Sequence, residues 1–287
     1  MVTSAAYADV TGDDNNDLII AGEWMGVRVF SFVGGKFVES KSSLADLHGW
    51  WQSLSAADLN NDGKMDLVLG NIGENFYLQP STDKPVKLWV ADFDKSGDQD
   101  KLLTYAVEGV DKPVFLKNDI QEQVPGIKKE NLKHHDYALK SISQLFPLID
   151  LKQTQQKTFN YASSIVALNN GNGSFEIKKL PVRGQLSCIN AIMCKDVNGD
   201  GKIDLVTGGN RSGFPPQLQK LDASYGDVFI NNGRGDFSWQ GPLSTGLKVD
   251  GEIRDIIELE VKGQDHVLFL RNNDYAKMFR LNIAEKN

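Results

Sequence analysis

The side chains whose type and spacing could do chemistry are oxygen donors at positions 1, 3, 5 and 9 of a nine-residue loop. The cleanest copy offers Asp196, Asn198, Asp200 and Asp204, with Lys202 at position 7 supplying a main-chain carbonyl. Three more copies offer Asp58, Asn60, Asp62, Lys64 and Asp66; Asp92, Asp94, Ser96, Asp98 and Asp100; and Asp9, Thr11, Asp13, Asn15 and Asp17. A hard cation such as Ca²⁺ takes about six to eight oxygens at about 2.3–2.6 Å, and a short acidic loop concentrates them. Position 6 is Gly63, Gly97 or Gly201, where a sharp turn wants a residue without a Cβ; the first loop has Asp14 instead. At position 7, Asp98 could use its side chain in place of its carbonyl. The expectation is about four Ca²⁺ ions, one per loop, in a structural role: each ion holds together aspartates that would otherwise repel.

An EF-hand loop also begins with spaced aspartates, but it needs a bidentate Glu at position 12 and flanking helices. Here position 12 is Ile20, Leu69, Leu103 or Thr207. The flanks read as strands, so the EF-hand reading fails.

Each loop must be positioned by the segments around it. SAAYA, SLSAA, KLWVA and AIMCK precede the loops, and LIIAGE, LVLGN and LVTGG follow three of them. The unit is therefore strand, acidic loop, strand. A second element, VALNNGNGSFEIKKL at 166–180 and VFINNGRGDFSWQG at 228–241, reads as a strand, a Gly-rich turn and an aromatic-led strand, a hairpin pattern. VFSFVGGKFVES at 29–40 is a looser version. Four-stranded antiparallel units repeating every 40–60 residues or so indicate a β-propeller. The fold class expected is all-β: a propeller of about five four-stranded blades, or a segment of a larger one, over 1–287 as a single domain.

A fifth unit, GEIRDIIELEVKGQDHVLFLRNNDYAKMFRLN, keeps the strands and lacks the loop: Asp255 fills position 1, but Ile257 and Leu259 fill positions 3 and 5. The spacing of 104 residues between Asp92 and Asp196 is about twice a repeat. Residues 117–158 are rich in Lys, Gln, Glu and Leu, and Leu132, Leu139, Ile142, Leu145 and Phe146 recur at helical intervals. This predicts one or two helices inserted in the third blade, before its final hairpin at 166–180. A shorter insertion is expected at 211–226.

The chain carries a net charge of −7, and thirteen aspartates stand at ligand-type positions of the loops. Four Ca²⁺ ions would bring the formal sum to about +1. No basic stripe suggests a nucleic-acid partner. No apolar run is long enough to span a membrane as a helix. The N-terminus, already part of the first repeat, reads as a boundary within a longer chain. Cys188 and Cys194 lie six apart in an expected strand, roughly 20 Å at about 3.3 Å per residue, too far for a disulfide; two buried free thiols are expected. Arg234-Gly235-Asp236 aligns with the turn of the NNGNGSF hairpin and reads as a turn rather than an adhesion signal. His134 and His135 are adjacent, which on a helix turns them apart. Trp24, Trp50, Trp51, Trp89 and Trp239 fit packing between blades better than a sugar-stacking surface, with Trp50 and Trp51 pointing to opposite sides of a strand. No catalytic constellation is evident.

The acidic loop between two strands, followed by NNG-x-G-x-F, resembles the FG-GAP or VCBS repeat of integrin-α-like propellers. GEWM at 22–25, HGWW at 48–51, DASYG at 222–226 and RNND at 271–274 make the chain similar to the C-terminal part of bacterial ASPIC/UnbV-type proteins. Thr11, Asp14 and Ser96 depart from the repeat's usual loop. The resemblance implies an exported protein and no enzymatic activity. The function expected is a calcium-stabilised, non-catalytic binding or scaffold module with a protein or glycan ligand on a propeller face. The alternative is an accessory domain of a larger polysaccharide-acting enzyme.

Overall fold

The structure is a computed structural model that describes residues 1–215, 218 and 220–282. Short β-type runs, some alternating and some continuously apolar, lie between glycine-rich turns and pair as antiparallel sheets. They fall into two compact units, Met1–Gln79 with Ala162–Asn287, and Pro80–Tyr161.

The larger unit begins with β1 (Val2–Ala8), β2 (Asp17–Met25), β3 (Arg28–Val33) and β4 (Lys36–Ser40), paired in that order. β5 (Gly49–Trp50) pairs with the end of β2. The second sheet opens with β6 (Ser53–Ala57) and β7 (Asp66–Gly70). The chain then enters the smaller unit before that sheet is complete.

In the smaller unit β8 (Val86–Ala91), β9 (Asp100–Val107), β10 (Val110–Pro113) and β11 (Gln155–Phe159) pair in the order β10-β9-β8-β11. Four short helices connect β10 to β11: α1 (Lys117–Gln123), α2 (Ile127–Glu130), α3 (His134–Leu139) and α4 (Ile142–Leu145). Their buried side chains Ile120, Val124, Ile127, Tyr137, Ile142 and Leu145 pack with Trp89, Phe93 and Leu102 of the sheet and its loop. The expectation of one or two helices over 117–158 is corrected in two ways. Four short helices form, and residues 155–159 are a strand. Leu132 and Leu139, two of the residues that recur at helical intervals, are 82% and 61% exposed, because successive breaks reset the helical phase.

The chain returns with β12 (Ile165–Gly171) and β13 (Ser174–Lys179), which complete the second sheet in the order β13-β12-β7-β6. The hairpin at 166–180 therefore belongs to the Asp58 loop, not to the Asp92 loop as the linear order suggested. Val166 faces Val68 across the pair, and Ala167 faces Leu67. The reason is apolar matching: both strands are buried on both faces, whereas the edge of the Asp92 sheet is taken by β11.

The third sheet is β14 (Ile189–Lys195), β15 (Asp204–Gly209), β16 (Asp227–Asn231) and β17 (Phe237–Gln240). The fourth is β18 (Ile253–Val261), β19 (Gln264–Arg271) and β20 (Lys277–Arg280). Asp255 lies within β18, and β18 meets β19 at Lys262-Gly263, a two-residue turn with φ of 53° and 74°, so no ligand loop exists there. A short helix, α5 (Pro242–Thr245), precedes β18. The first strands pack consecutively: β1 on β6, β6 on β14, β14 on β18. Among the described residues no strand of the fourth sheet packs closely on the first.

Within 211–226, Arg211 bridges to Leu221, and Pro216, Gln217 and Gln219 of this expected insertion lie outside the described residues. Cys188 and Cys194 are free, the first buried and the second half-buried, and burial pushes both thiols up to about 11.

Candidate metal centre

Four copies of one hydrogen-bond net hold the four loops. Position 1 is an aspartate that accepts from the main chain across the turn. Asp9 takes Gly12 and Asp14 N–H at 2.7 and 2.9 Å. Asp58 takes Asp62 and Gly63 at 3.2 and 2.9 Å. Asp92 takes Ser96 and Gly97, both at 2.9 Å, and Asp196 takes Gly199 and Gly201, both at 2.7 Å. The position 3 residues Asn60, Asp94 and Asn198 accept from the N–H of position 5. Asp13, Asp62, Ser96 and Asp200, at position 5, accept from position 7.

Position 9 closes the loop. The carboxylates of Asp17, Asp66, Asp100 and Asp204 accept from the N–H of position 2: Val10 at 3.0 Å, Leu59 and Phe93 at 2.9 Å, Val197 at 3.1 Å. All four are buried at the start of their strands. Burial raises the carboxyls of Asp66, Asp100 and Asp204 above the usual range, against the lowering effect of the N–H donors. Asp200, a surface residue, is lowered by the Lys202 N–H and ammonium.

The loop's backbone needs the left-handed region twice. Position 6 has φ of 63° at Asp14, 83° at Gly63, 97° at Gly97 and 86° at Gly201. Position 4 has it too: 80° at Gly12, 59° at Asn61, 62° at Lys95 and 76° at Gly199. The second requirement escaped sequence reading because glycine fills position 4 in only two copies. Asn and Lys tolerate it on an open turn.

The donor set is all oxygen, with no thiol or imidazole, which suits a hard cation. Carboxylate oxygens of Asp92, Asp94 and Asp100 lie within 4.8 Å of one another. In the first loop two buried oxygens, Asp17 Oδ1 and Thr11 Oγ1, have no hydrogen-bond partner among the described residues. Buried polar atoms are rarely left so, and both belong to the expected ligand set. The residues present therefore fit a cation. The carbonyls of Asn15, Lys64, Asp98 and Lys202 remain the expected position 7 donors. The Lys64 and Lys202 ammonium groups sit 3.7 and 3.2 Å from Asp62 and Asp200 and offset part of the loop charge.

A residue the motif reading passed over links these loops. Asn169 donates its main-chain N–H to Asp66 Oδ1 at 2.7 Å and its amide to the carbonyls of Met65 and Val10 at 3.2 and 3.0 Å. Asn231 repeats the pattern on Asp204 at 2.9 Å, with its amide to Ile203 and Leu59 at 2.9 and 2.7 Å. Each amide joins position 8 of its own loop to position 2 of the loop in the preceding sheet of the larger unit. The first Asn of the repeated NNG was the available signal.

The other candidates resolve simply. Asp236 pairs with Lys178 at 2.9 Å, and Gly233 and Gly235 have positive φ, so Arg234-Gly235-Asp236 is a hairpin turn. His134 and His135 are exposed on α3. Trp50, Trp51 and Trp89 are buried. Neither member of the Trp50-Trp51 pair is free to stack on a ligand. Trp239 is partly exposed under the Arg183 guanidinium, 5.0 Å from its ring. A cleft of about 680 Å³ lies between the third and fourth sheets, and its described lining holds no carboxylate.

No curated protein matches the chain. Residues 9–69, which carry the first two loops with β2 to β6 and most of β7, match the family model of the FG-GAP-like repeat. The chain is thus similar to the FG-GAP repeat family over that stretch, and the loop and strand order of the match recurs in the third sheet.

Proposed function

We propose that the chain is a calcium-stabilised, non-catalytic binding or scaffold module, part of an FG-GAP/VCBS-type propeller in an exported bacterial protein. The observation that carries this reading is the convergence of Asp92, Asp94 and Asp100 within 4.8 Å, in a loop whose net is repeated at the Asp9, Asp58 and Asp196 loops. The unpartnered Asp17 Oδ1 supports it independently. When bound, Ca²⁺ supplies the positive charge that offsets three or four carboxylates per loop. The chain's own part is to aim the donors. Position 1 fixes the turn, position 9 anchors it to the following strand, and the left-handed residues at positions 4 and 6 bring the two ends together.

The propeller reading rests on the consecutive packing of β1, β6, β14 and β18. The proposed ligand is a protein or glycan on a loop-rich face of the sheets. GEWM, HGWW, DASYG and RNND, which suggest the ASPIC/UnbV type, all lie at the ends of the sheets opposite the acidic loops, which marks that end for ligand contact.

The test is metal analysis of the chain equilibrated with millimolar calcium, with melting before and after chelation. About four ions per chain, and a melting temperature that falls on chelation, are expected. Asp62→Ala and Asp200→Ala should each lose about one ion. A chain free of calcium under these conditions would overturn the reading.

A further inference from the structure

The three acidic loops of the larger unit are joined by one continuous run of buried hydrogen bonds. In the Asp9 loop the Val10 N–H meets Asp17 Oδ2 at 3.0 Å, and the Val10 carbonyl accepts from the Asn169 amide at 3.0 Å. The Asn169 main-chain N–H meets Asp66 Oδ1 at 2.7 Å, and the Leu59 N–H meets Asp66 Oδ2 at 2.9 Å. The Leu59 carbonyl accepts from the Asn231 amide at 2.7 Å, and the Asn231 N–H meets Asp204 Oδ1 at 2.9 Å. Position 9 of each loop is thereby tied to position 9 of the next through a single asparagine.

The members of this run, from Asp17 through Asn169 to Asp204, are each at most 4% exposed. In such surroundings hydrogen bonds strengthen one another, and a member left unpaired is costly. The amides are held in place. The Gly171 and Gly233 N–H groups donate to Asn169 Oδ1 and Asn231 Oδ1 at 2.8 and 2.9 Å, which keeps each NH₂ on its two carbonyls.

The run also touches the candidate ligands directly. Val10 lies between Asp9 and Thr11, positions 1 and 3 of the first loop, and Leu59 lies between Asp58 and Asn60. Drawing those donors onto a cation fixes the main chain whose carbonyl the asparagine holds. A loop that opens withdraws that carbonyl and leaves a buried amide half-paired. In the Asp9 loop Asp17 is 1% exposed, and its Oδ1 has no hydrogen-bond partner among the described residues, which leaves that oxygen for the cation. The Asp92 loop lies in the smaller unit and has no such asparagine: among the described residues, Asp100 accepts from the Phe93 N–H alone.

We infer that cation binding in the Asp9, Asp58 and Asp196 loops is cooperative, coupled from loop to loop through Asn169 and Asn231, whereas the Asp92 loop fills on its own. The inference rests on the calcium reading above and adds a regulation to those sites: the larger unit takes up its three ions together over a narrow calcium range. Coupling is reciprocal. Filling the central Asp58 loop therefore raises the affinity of both neighbours, and filling either neighbour raises that of the Asp58 loop. Asn169 and Asn231 act here as positioning residues, outside the expected ligand set.

The test is a calcium titration of the full chain in chelator-buffered solution, followed site by site through the position 6 amide NMR signals of Asp14, Gly63, Gly97 and Gly201. Asp14, Gly63 and Gly201 are expected to share one midpoint on a curve steeper than single-site binding, with Gly97 on a single-site curve of its own. Asn169→Ala should separate the Asp14 midpoint from that of Gly63 by about fivefold or more, the lower end of ordinary coupling. Asn231→Ala should do the same for Gly201, and neither should move Gly97. Asp62 is exposed, so Asp62→Ala empties the central loop without touching the buried run, and it decides the matter if an asparagine variant fails to fold. It should weaken binding at Asp14 and Gly201 by a similar factor. Separate single-site curves in the wild type, a shared midpoint that survives both asparagine variants, or outer loops indifferent to Asp62→Ala would each overturn the coupling while leaving calcium binding intact. A chain that takes up no calcium overturns the functional reading and the coupling with it.

Discussion

Asn169 donates its main-chain N–H to Asp66 Oδ1 at 2.7 Å, across 103 residues of sequence. The bond assigns the 166–180 hairpin to the second acidic loop and makes the whole of Pro80–Tyr161 an interruption of one sheet. The Asn169 amide then ties that sheet to Val10 of the sheet before.

Asn169→Ala and Asn231→Ala should each destabilise the larger unit by about 1–3 kcal/mol, the range for leaving buried carbonyl partners unsatisfied. Equilibrium urea unfolding at saturating calcium measures this. An effect within a few tenths of a kcal/mol for both would remove the clasp from the account.

Excising Pro80–Tyr161 and joining its flanks by a short Gly-Ser linker should leave the second sheet intact. β7 and β12 pair directly, and the Gly73 N–H meets the Ala162 carbonyl at 2.9 Å beside the junction. Hydrogen exchange of Leu67, Val68, Val166 and Ala167 reads the outcome; loss of their protection would show that the smaller unit is needed for the pairing.

Gly63→Ala and Gly201→Ala put a Cβ on left-handed backbone at φ of 83° and 86°, and each should cost about 1–2 kcal/mol. Asp14→Gly should be close to neutral, since aspartate already tolerates φ of 63° there. Thermal melts of the three variants compare the positions directly.

Calcium stabilisation should fade on acidification sooner than ordinary carboxylates would allow. Burial raises the folded-state values of Asp66, Asp100 and Asp204, while in the unfolded chain they titrate near about 4. Without cation, these groups contribute stability that is full below about 4 and lost as pH rises through their raised folded values. A bound cation needs the anions, so its contribution runs the other way and is lost as pH falls through the same window. Melting curves with calcium and with chelator should therefore converge on the acid side, beginning above pH 4 or so. A constant separation down to pH 4 or below would rule out position 9 as a ligand.

Much of this protein was legible locally. The four loops, their flanking strands and the Gly-rich hairpins are set by contiguous residues: an aspartate accepting from N–H groups three to five residues on, a glycine at positive φ, alternation of apolar side chains. Short-range hydrogen bonds and backbone sterics need no distant partner, so the order of types along the chain specified them. The helical stretch was visible as a composition but not as four pieces: Pro125-Gly126 marks the end of α1, but Asn131 and Lys140 end their helices with no proline or glycine at the stop.

Tertiary structure alone decided which strands share a sheet. Asp66 and Asp100 close the same kind of loop, and both are followed by apolar strands, so nothing local says which one the NNG hairpin completes. Burial does: Ile165, Val166 and Ala167 are at most 1% exposed between β7 and β13, and such a strand is stable only with a buried partner on each side. The roles of Asn169 and Asn231 also arise only there, where main-chain carbonyls from two separate loops converge on one amide. The sequence determined the loops by short-range bonding; the assembly of those loops into sheets was left to burial across a hundred residues.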